Sequence, residues 1–189
     1  MKSEIKQLIV LSAPSGGGKT TVAKHLFTVF PHLTFSVSAT TRHIRPGEVD
    51  GKDYFFLSHS EFRQKIADGD LLEYEEIFGN YYGTLQSSVQ SALNRGDIMV
   101  FDVDVKGALS LRRAFPDDTV LIFITPPTME ELEKRLRSRR TESEEQIALR
   151  LERAAMEMEQ CSAFDKVIVN DKLDETLREA EHFLRNIIT

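Results

Sequence analysis

Ala13-Pro14-Ser15-Gly16-Gly17-Gly18-Lys19-Thr20 is preceded by a short apolar run, Gln7 to Ser12, and followed by Thr21 and a stretch to Phe30 with apolar residues at Val22, Ala23, Leu26, Phe27 and Phe30. The periods on either side differ: a short buried run reads as a strand, and the i, i+3, i+4 spacing reads as a helix. A glycine-rich loop between strand and helix matches G-x-x-x-x-G-K-[ST], with Ala13 in the first glycine position. Three glycines let backbone N–H groups curl toward a phosphate, and the helix start adds its partial positive charge. Lys19 then reaches the β- and γ-phosphates, and Thr20 is placed to ligate Mg²⁺. The expected ligand of Ala13 to Thr21 is ATP or another nucleoside triphosphate with its metal.

Further apolar runs at Ile98 to Val103, Val120 to Ile124 and Val167 to Val169 are rich in β-branched residues and separated by helical patterns. With the first strand they predict an α/β fold, a parallel sheet flanked by helices. Two departures interrupt it. Between residues 34 and 90 there is alternation in Thr34 to Thr40, an Arg45-Pro46-Gly47 turn, and aromatics at Tyr54 to Phe56 and Phe78 to Tyr82, which predicts an inserted, partly antiparallel region. Within it Ser58-x-x-Glu61 reads as a capping box for a helix ending near Gly69. After Pro126-Pro127, Thr128-x-x-Glu131 and Ser143-x-x-Gln146 predict two capped helices, the first from Met129 to about Arg140. The end from Asp174 to Ile188 reads as a closing amphipathic helix.

Length and composition set the outer limits. The chain has 189 residues, which is about one domain on the prior of roughly 100–200 residues each. Its hydrophobic fraction of 41% supplies a core and excludes disorder. No apolar stretch approaches the roughly 20 residues of a membrane helix, and the start MKSEIKQLIVLS lacks the apolar centre and cleavage site of a secretory signal, so a cytoplasmic protein is expected. A single cysteine, Cys161, cannot form an internal disulfide. The net charge of −6 argues against nucleic acid as a partner. Anions must be held by local groups.

A phosphate loop leaves the acceptor open. Arg42 and Arg45, three apart beside Ser38 to Thr41, with Tyr54 and Tyr82, can bind a monophosphate through paired, charge-assisted hydrogen bonds, or they can be solvated arginines beside a turn. Asp102 and Asp104, two apart at a strand end, point to one face and need a cation if buried. Arg135 and Arg139 share a helical face, with Arg150 on the next helix; they are either phosphate contacts or ordinary solvated helix charges.

Taken together, Ser12 to Thr20, Ser36 to Arg42, Arg45 to Phe56, Gly79-Asn80-Tyr81-Tyr82-Gly83-Thr84, Asp102-Val103-Asp104 and Val167 to Asp171 resemble the segments of guanylate kinases, in family order and over nearly the whole chain. The resemblance implies a core of residues 1–33, 91–126 and 159–189, a GMP-binding region at 34–90 and a lid at 127–158. It implies an ATP:GMP phosphotransferase that uses Mg²⁺ and accepts GMP, with dGMP as a second candidate acceptor, no nucleic-acid or membrane partner and an open oligomeric state. By similarity Ser38, Arg42, Arg45, Tyr54, Glu73, Tyr82, Gly83, Thr84 and Asp102 line the GMP site, Thr20 and Asp102 serve the metal, and Asn170 and Asp171 lie near the ATP base. Lys19, Arg42, Arg135, Arg139 and Arg150 would act on the transferring phosphoryl group. Guanine offers N1–H and N2–H₂ beside O6, so the Glu73 carboxylate can take two hydrogen bonds while a hydroxyl of Ser38 or Thr84 gives one to O6. Two other readings stay open here: a binding module of the same fold without catalysis, and a kinase for another small phosphate.

Overall fold

The computed structural model describes residues 6–77, 79–138 and 143–188. Its elements in chain order are β1 (Leu8–Ser12), α1 (Lys19–Val29), β2 (Leu33–Phe35), β3 (Ala39–Thr40), β4 (Phe55–Phe56), α2 (His59–Asp68), β5 (Leu71–Ile77), β6 (Asn80–Leu85), α3 (Gln86–Arg95) and β7 (Ile98–Asp102). They continue with α4 (Val105–Ala114), β8 (Thr119–Thr125), α5 (Met129–Ser138), α6 (Glu144–Glu159), β9 (Lys166–Val169) and α7 (Leu173–Ile188).

Five strands form an all-parallel sheet in the order β2-β7-β1-β8-β9. Every residue of β1 is buried, and successive residues feed opposite faces. Ile9 and Leu11 join Val100, Ile122 and Ile124 in a core closed by Val22, Ala23 and Leu26 of α1 and Ala180 and Leu184 of α7. Leu8 and Val10 join Met99, Phe101, Leu121 and Phe123 under Val89 and Ala92 of α3 and Ala108 and Leu111 of α4. A strand apolar on both faces is the pattern expected of a sheet covered by helices on both sides.

The inserted sheet runs β4-β3-β6-β5, with β5 and β6 antiparallel. The structure divides the chain differently from the sequence at both ends of this region. Leu33 to Phe35 pair with Ile98 to Val100 at the edge of the parallel sheet, so the alternation at Thr34 to Thr40 belongs to two sheets rather than one. At the other end, α3 packs Val89 and Ala92 into the main core.

The helix starts follow their capping chemistry. Ser58 accepts from Glu61 N and Glu61 bonds back to Ser58 N; α2 then ends at Gly69, with φ +72°. Ser143 and Gln146 form the same reciprocal pair at α6. At α5 only half the box is present: Thr128 Oγ1 accepts from Glu131 N, while the Glu131 carboxylate bonds Arg135. Helices α5 and α6 close on each other through Leu132, Leu136 and Ala154. The first was expected to reach about Arg140; it is described to Ser138, and Arg139 lies outside the described residues.

Candidate active site

The loop between β1 and α1 owes its shape to its glycines. Gly16 and Gly18 have φ of +93° and +102°, a region that side chains disfavour. Gly17 is fixed instead by space: a Cβ there would lie 3.0 Å from Pro14 O and 3.1 Å from Ile124 O. From the far side, Asn170 braces the turn. Its amide donates to Gly17 O at 2.9 Å and its carbonyl oxygen accepts from Thr176, so a Cβ on Gly18 would run into Asn170 Nδ2. Asn170 is therefore buried beneath the loop rather than on its open side, while Asp171 is exposed. Helix α5 rests on the loop through Leu132 and Leu136, whose methyl carbons would stand 3.1 and 3.2 Å from a Cβ on Gly16.

The open side is a cavity of about 510 Å³ lined by Ala13 to Thr21 together with Ile77, Asp104, Leu149, Arg150, Arg153 and Glu157. Arg150 reaches it from α6 and donates to Ser15 Oγ at 3.1 Å. Arg135, on α5, is engaged by Glu131 at 3.1 Å along its own helix.

A second cavity, about 320 Å³, is lined by Ser38, Tyr54, Glu73, Glu75, Ile77, Tyr82, Gly83, Asp102, Val103 and Asp104, and by Lys19 and Arg153. Strand pleating builds its wall: Glu73, Glu75 and Ile77 alternate along β5, and Thr84 and Tyr82 of β6 stand directly opposite Glu73 and Glu75. Thr84 is buried and its hydroxyl donates to Glu73 Oε1 at 2.6 Å. Burial raises the Glu73 pKa above the ordinary carboxylate range, with the Thr84 bond opposing that shift. Gly83 is required by packing, since a Cβ there would stand 2.7 Å from Glu73 O and 3.1 Å from Phe62 Cζ.

At the outer corner Arg42 lies over the Tyr54 ring, 5.3 Å from its centroid, and Tyr54 meets Tyr82 edge to face. Both terminal nitrogens of Arg42 bond the Glu48 carboxylate, at 2.8 and 3.0 Å. That pairing raises the Arg42 pKa and lowers that of Glu48, to which Arg45 N also donates. Arg45 itself is on the exposed turn. Burial raises the Tyr54 hydroxyl pKa, so it remains a hydrogen-bond donor at neutral pH.

Lys19 borders both cavities. Its ammonium pairs with Asp102, at the end of β7, and donates to Val103 O at 3.2 Å. Asp104 caps α4 by accepting from Gly107 N at 2.8 Å and uses its other oxygen on Arg153. The two acids singled out by spacing thus have separate cations. Glu48, Glu75 and Arg153 were not singled out; the available signals were an acid three residues after Arg45, an acid two after Glu73, and an arginine three after Arg150.

Thr20 stands at the start of α1 with its side chain toward solvent in the loop cavity. The described residues include no group of three or more His, Cys, Asp or Glu side chains able to hold a metal ion. The Thr20 hydroxyl is an oxygen donor facing the loop cavity, and a Mg²⁺ bound mainly through substrate phosphates and water needs only one or two such protein oxygens.

The family model for guanylate kinase matches residues 5–187. The guanylate kinase of Chlorobaculum tepidum is 53% identical over 171 residues, 90% of this chain and 88% of that one. That of Chlorobium luteolum is 45% identical over 185 residues, covering 98% and 94%. The crystal structure of guanylate kinase from Anaplasma phagocytophilum superposes with a TM-score of 0.75 at 35% identity, covering 100% of this chain and 89% of that one.

Proposed function

This chain belongs to the guanylate kinase family and is a nucleoside monophosphate kinase acting on GMP, and on that premise we propose how its residues divide the work. ATP takes the loop cavity and GMP the smaller one. The observation that carries this reading is the position of Lys19 on the wall of both, so that one ammonium reaches the place where donor and acceptor phosphates meet.

Glu73 takes the guanine N1–H and N2–H₂ donors. Thr84 holds that carboxylate from beneath, and Ser38, which lines the cavity, gives its hydroxyl to O6. Arg42, Arg45, Tyr54 and Tyr82 hold the GMP phosphate, Arg42 exchanging Glu48 for it. A phosphate oxygen of GMP then attacks the γ-phosphorus in line; the new O–P bond forms as the bond to the β-phosphate oxygen breaks, giving GDP and ADP. Such a transfer needs positioning and charge neutralisation rather than a protein nucleophile. Lys19 leaves Asp102 for the phosphates, and Arg150, already on Ser15 of the loop, turns to them together with Arg135; the family resemblance gives Arg139 the same role. Thr20, and Asp102 through water, would hold Mg²⁺, which would supply further neutralisation of phosphate charge. The core, GMP-binding and lid regions are the working parts of this scheme.

We place the enzyme in the cytoplasm; among the described residues no helix is long and apolar enough to cross a membrane. dGMP is proposed as a second acceptor.

The test is a coupled ADP-release assay with Mg·ATP and, separately, GMP, AMP, CMP and UMP, with Lys19→Ala as the control for contaminating kinase. Turnover with GMP above the others, absent in the control, is expected. Folded protein that turns over none of the four contradicts the proposal.

A further inference from the structure

Arg153 occupies a position that none of the roles above uses. It lies on α6, in the lid region, yet borders both cavities. Its guanidinium touches two other elements and its own helix: Nη2 is 3.0 Å from Glu75 Oε1 on β5 of the inserted sheet and 3.2 Å from Asp104 Oδ2 at the cap of α4, while Nε donates to Glu157 on α6 at 3.0 Å. Burial works to lower the Arg153 pKa, but the bonds to Glu157 and Glu75 outweigh it and keep the charge in place.

The surroundings show why a cation is needed there. Glu73, Glu75, Asp102 and Asp104 all face the smaller cavity, and Lys19 is paired with only one of them, Asp102. Without Arg153, the carboxylates of Glu75 and Asp104 would face each other and the incoming phosphates, a like-charge arrangement that disfavours an anionic ligand. Geometry adds a second consequence. Glu75 stands one side-chain repeat from Glu73 on the same face of β5, and Asp104 is two residues from Asp102. A planar guanidinium between them fixes the inserted sheet against the core in a way a flexible ammonium does not.

We propose that Arg153 is a positioning residue for the acceptor: by bridging Glu75 and Asp104 it registers the GMP-binding sheet against the core and masks two carboxylates at the junction of the cavities. The proposal rests on the kinase reading.

The experiment compares Arg153→Gln, Arg153→Lys, Glu75→Gln and the Arg153→Gln/Glu75→Gln double variant, measuring KM for GMP, KM for ATP and kcat beside unfolding in urea. For partly exposed but networked charges, Arg153→Gln is expected to raise KM for GMP about three- to tenfold, with KM for ATP and kcat within about twofold. Arg153→Lys should recover part of the loss, and the double variant should be no worse than Arg153→Gln alone. A loss of kcat with both KM values unchanged would mean a merely structural role and would overturn the proposal. So would a fall in KM for GMP, which would make the bridge an obstruction, or independent, multiplying effects of the two substitutions. The urea cycle reads the Glu75–Arg153 coupling without any turnover: an inactive wild type with intact coupling would sink the kinase reading alone, whereas an active wild type with no coupling would sink the bridge.

Discussion

The two cavities are built by opposite means. The loop cavity takes its floor from nine consecutive residues, Ala13 to Thr21, whose working parts are largely backbone, set on a strand buried on both faces and braced by one amide, Asn170. The smaller cavity, proposed for the acceptor, is assembled from side chains on β5, β6, the end of β7 and the segments around Ser38 and Tyr54, and the cations in and beside it rest on acids: Lys19 on Asp102, Arg153 on Glu75 and Asp104, and at the outer corner Arg42 on Glu48. A backbone site binds what every nucleoside triphosphate shares. A side-chain site can distinguish one base from another, because a buried carboxylate with the wrong partner is left unsatisfied.

The largest effect expected from this contrast falls where the cavities meet. Lys19→Ala removes the group they share and should lower turnover by roughly 10²- to 10³-fold, the scale seen when one preorganised charge-stabilising donor is lost. Steady-state assays with a circular-dichroism check of folding would measure it; a change of less than about tenfold would mean the cavities do not meet at Lys19.

Asn170→Ala acts on the donor side alone. Removing a buried, doubly bonded amide should cost about 1–3 kcal/mol of unfolding free energy and raise KM for ATP while leaving KM for GMP in place. Denaturant melts and two-substrate kinetics give both numbers, and equal rises in the two KM values would blur the distinction between the sites.

The smallest expected effect is a pH dependence confined to the acceptor side. Burial raises the Glu73 pKa, so as pH falls the carboxyl takes its proton while ordinary carboxylates are still ionised. It then loses acceptor capacity, and KM for GMP should rise in that window. Glu73→Gln should show only the titration of GMP's own phosphate, which is common to both proteins. Stability runs the other way: between the unfolded and the raised folded pKa the native state holds more protons, so this group's contribution falls as pH rises. Profiles that coincide for the two proteins would remove Glu73 from the base site.

The same contrast explains what could be read in advance. The phosphate loop was legible because its determinants are contiguous and each residue type has a local reason. The capping boxes at Ser58 and Ser143 were legible for the same cause. Strand β2 was not: Thr34 and Phe35 are exposed at the sheet edge, so three residues carry no periodic signal of their partner. Nor does local sequence say that Asn170 supports Gly17 across 153 positions, or that Arg153, spaced like any solvated helix charge, meets Glu75. In the acceptor cavity the family resemblance supplied residues such as Glu73, whereas pairs such as Arg42–Glu48 emerge only once the turn at Arg45 is folded.

The most direct test of the division between a backbone donor site and a side-chain acceptor site is the ratio of kcat/KM for GMP to that for AMP in wild type and Glu73→Gln, with KM for ATP measured in the same experiment. The ratio should fall by at least about fivefold in the variant, since one mismatched polar contact costs about 1 kcal/mol or more, and KM for ATP should stay within about twofold. An unchanged ratio, or a loss carried by KM for ATP, would contradict it.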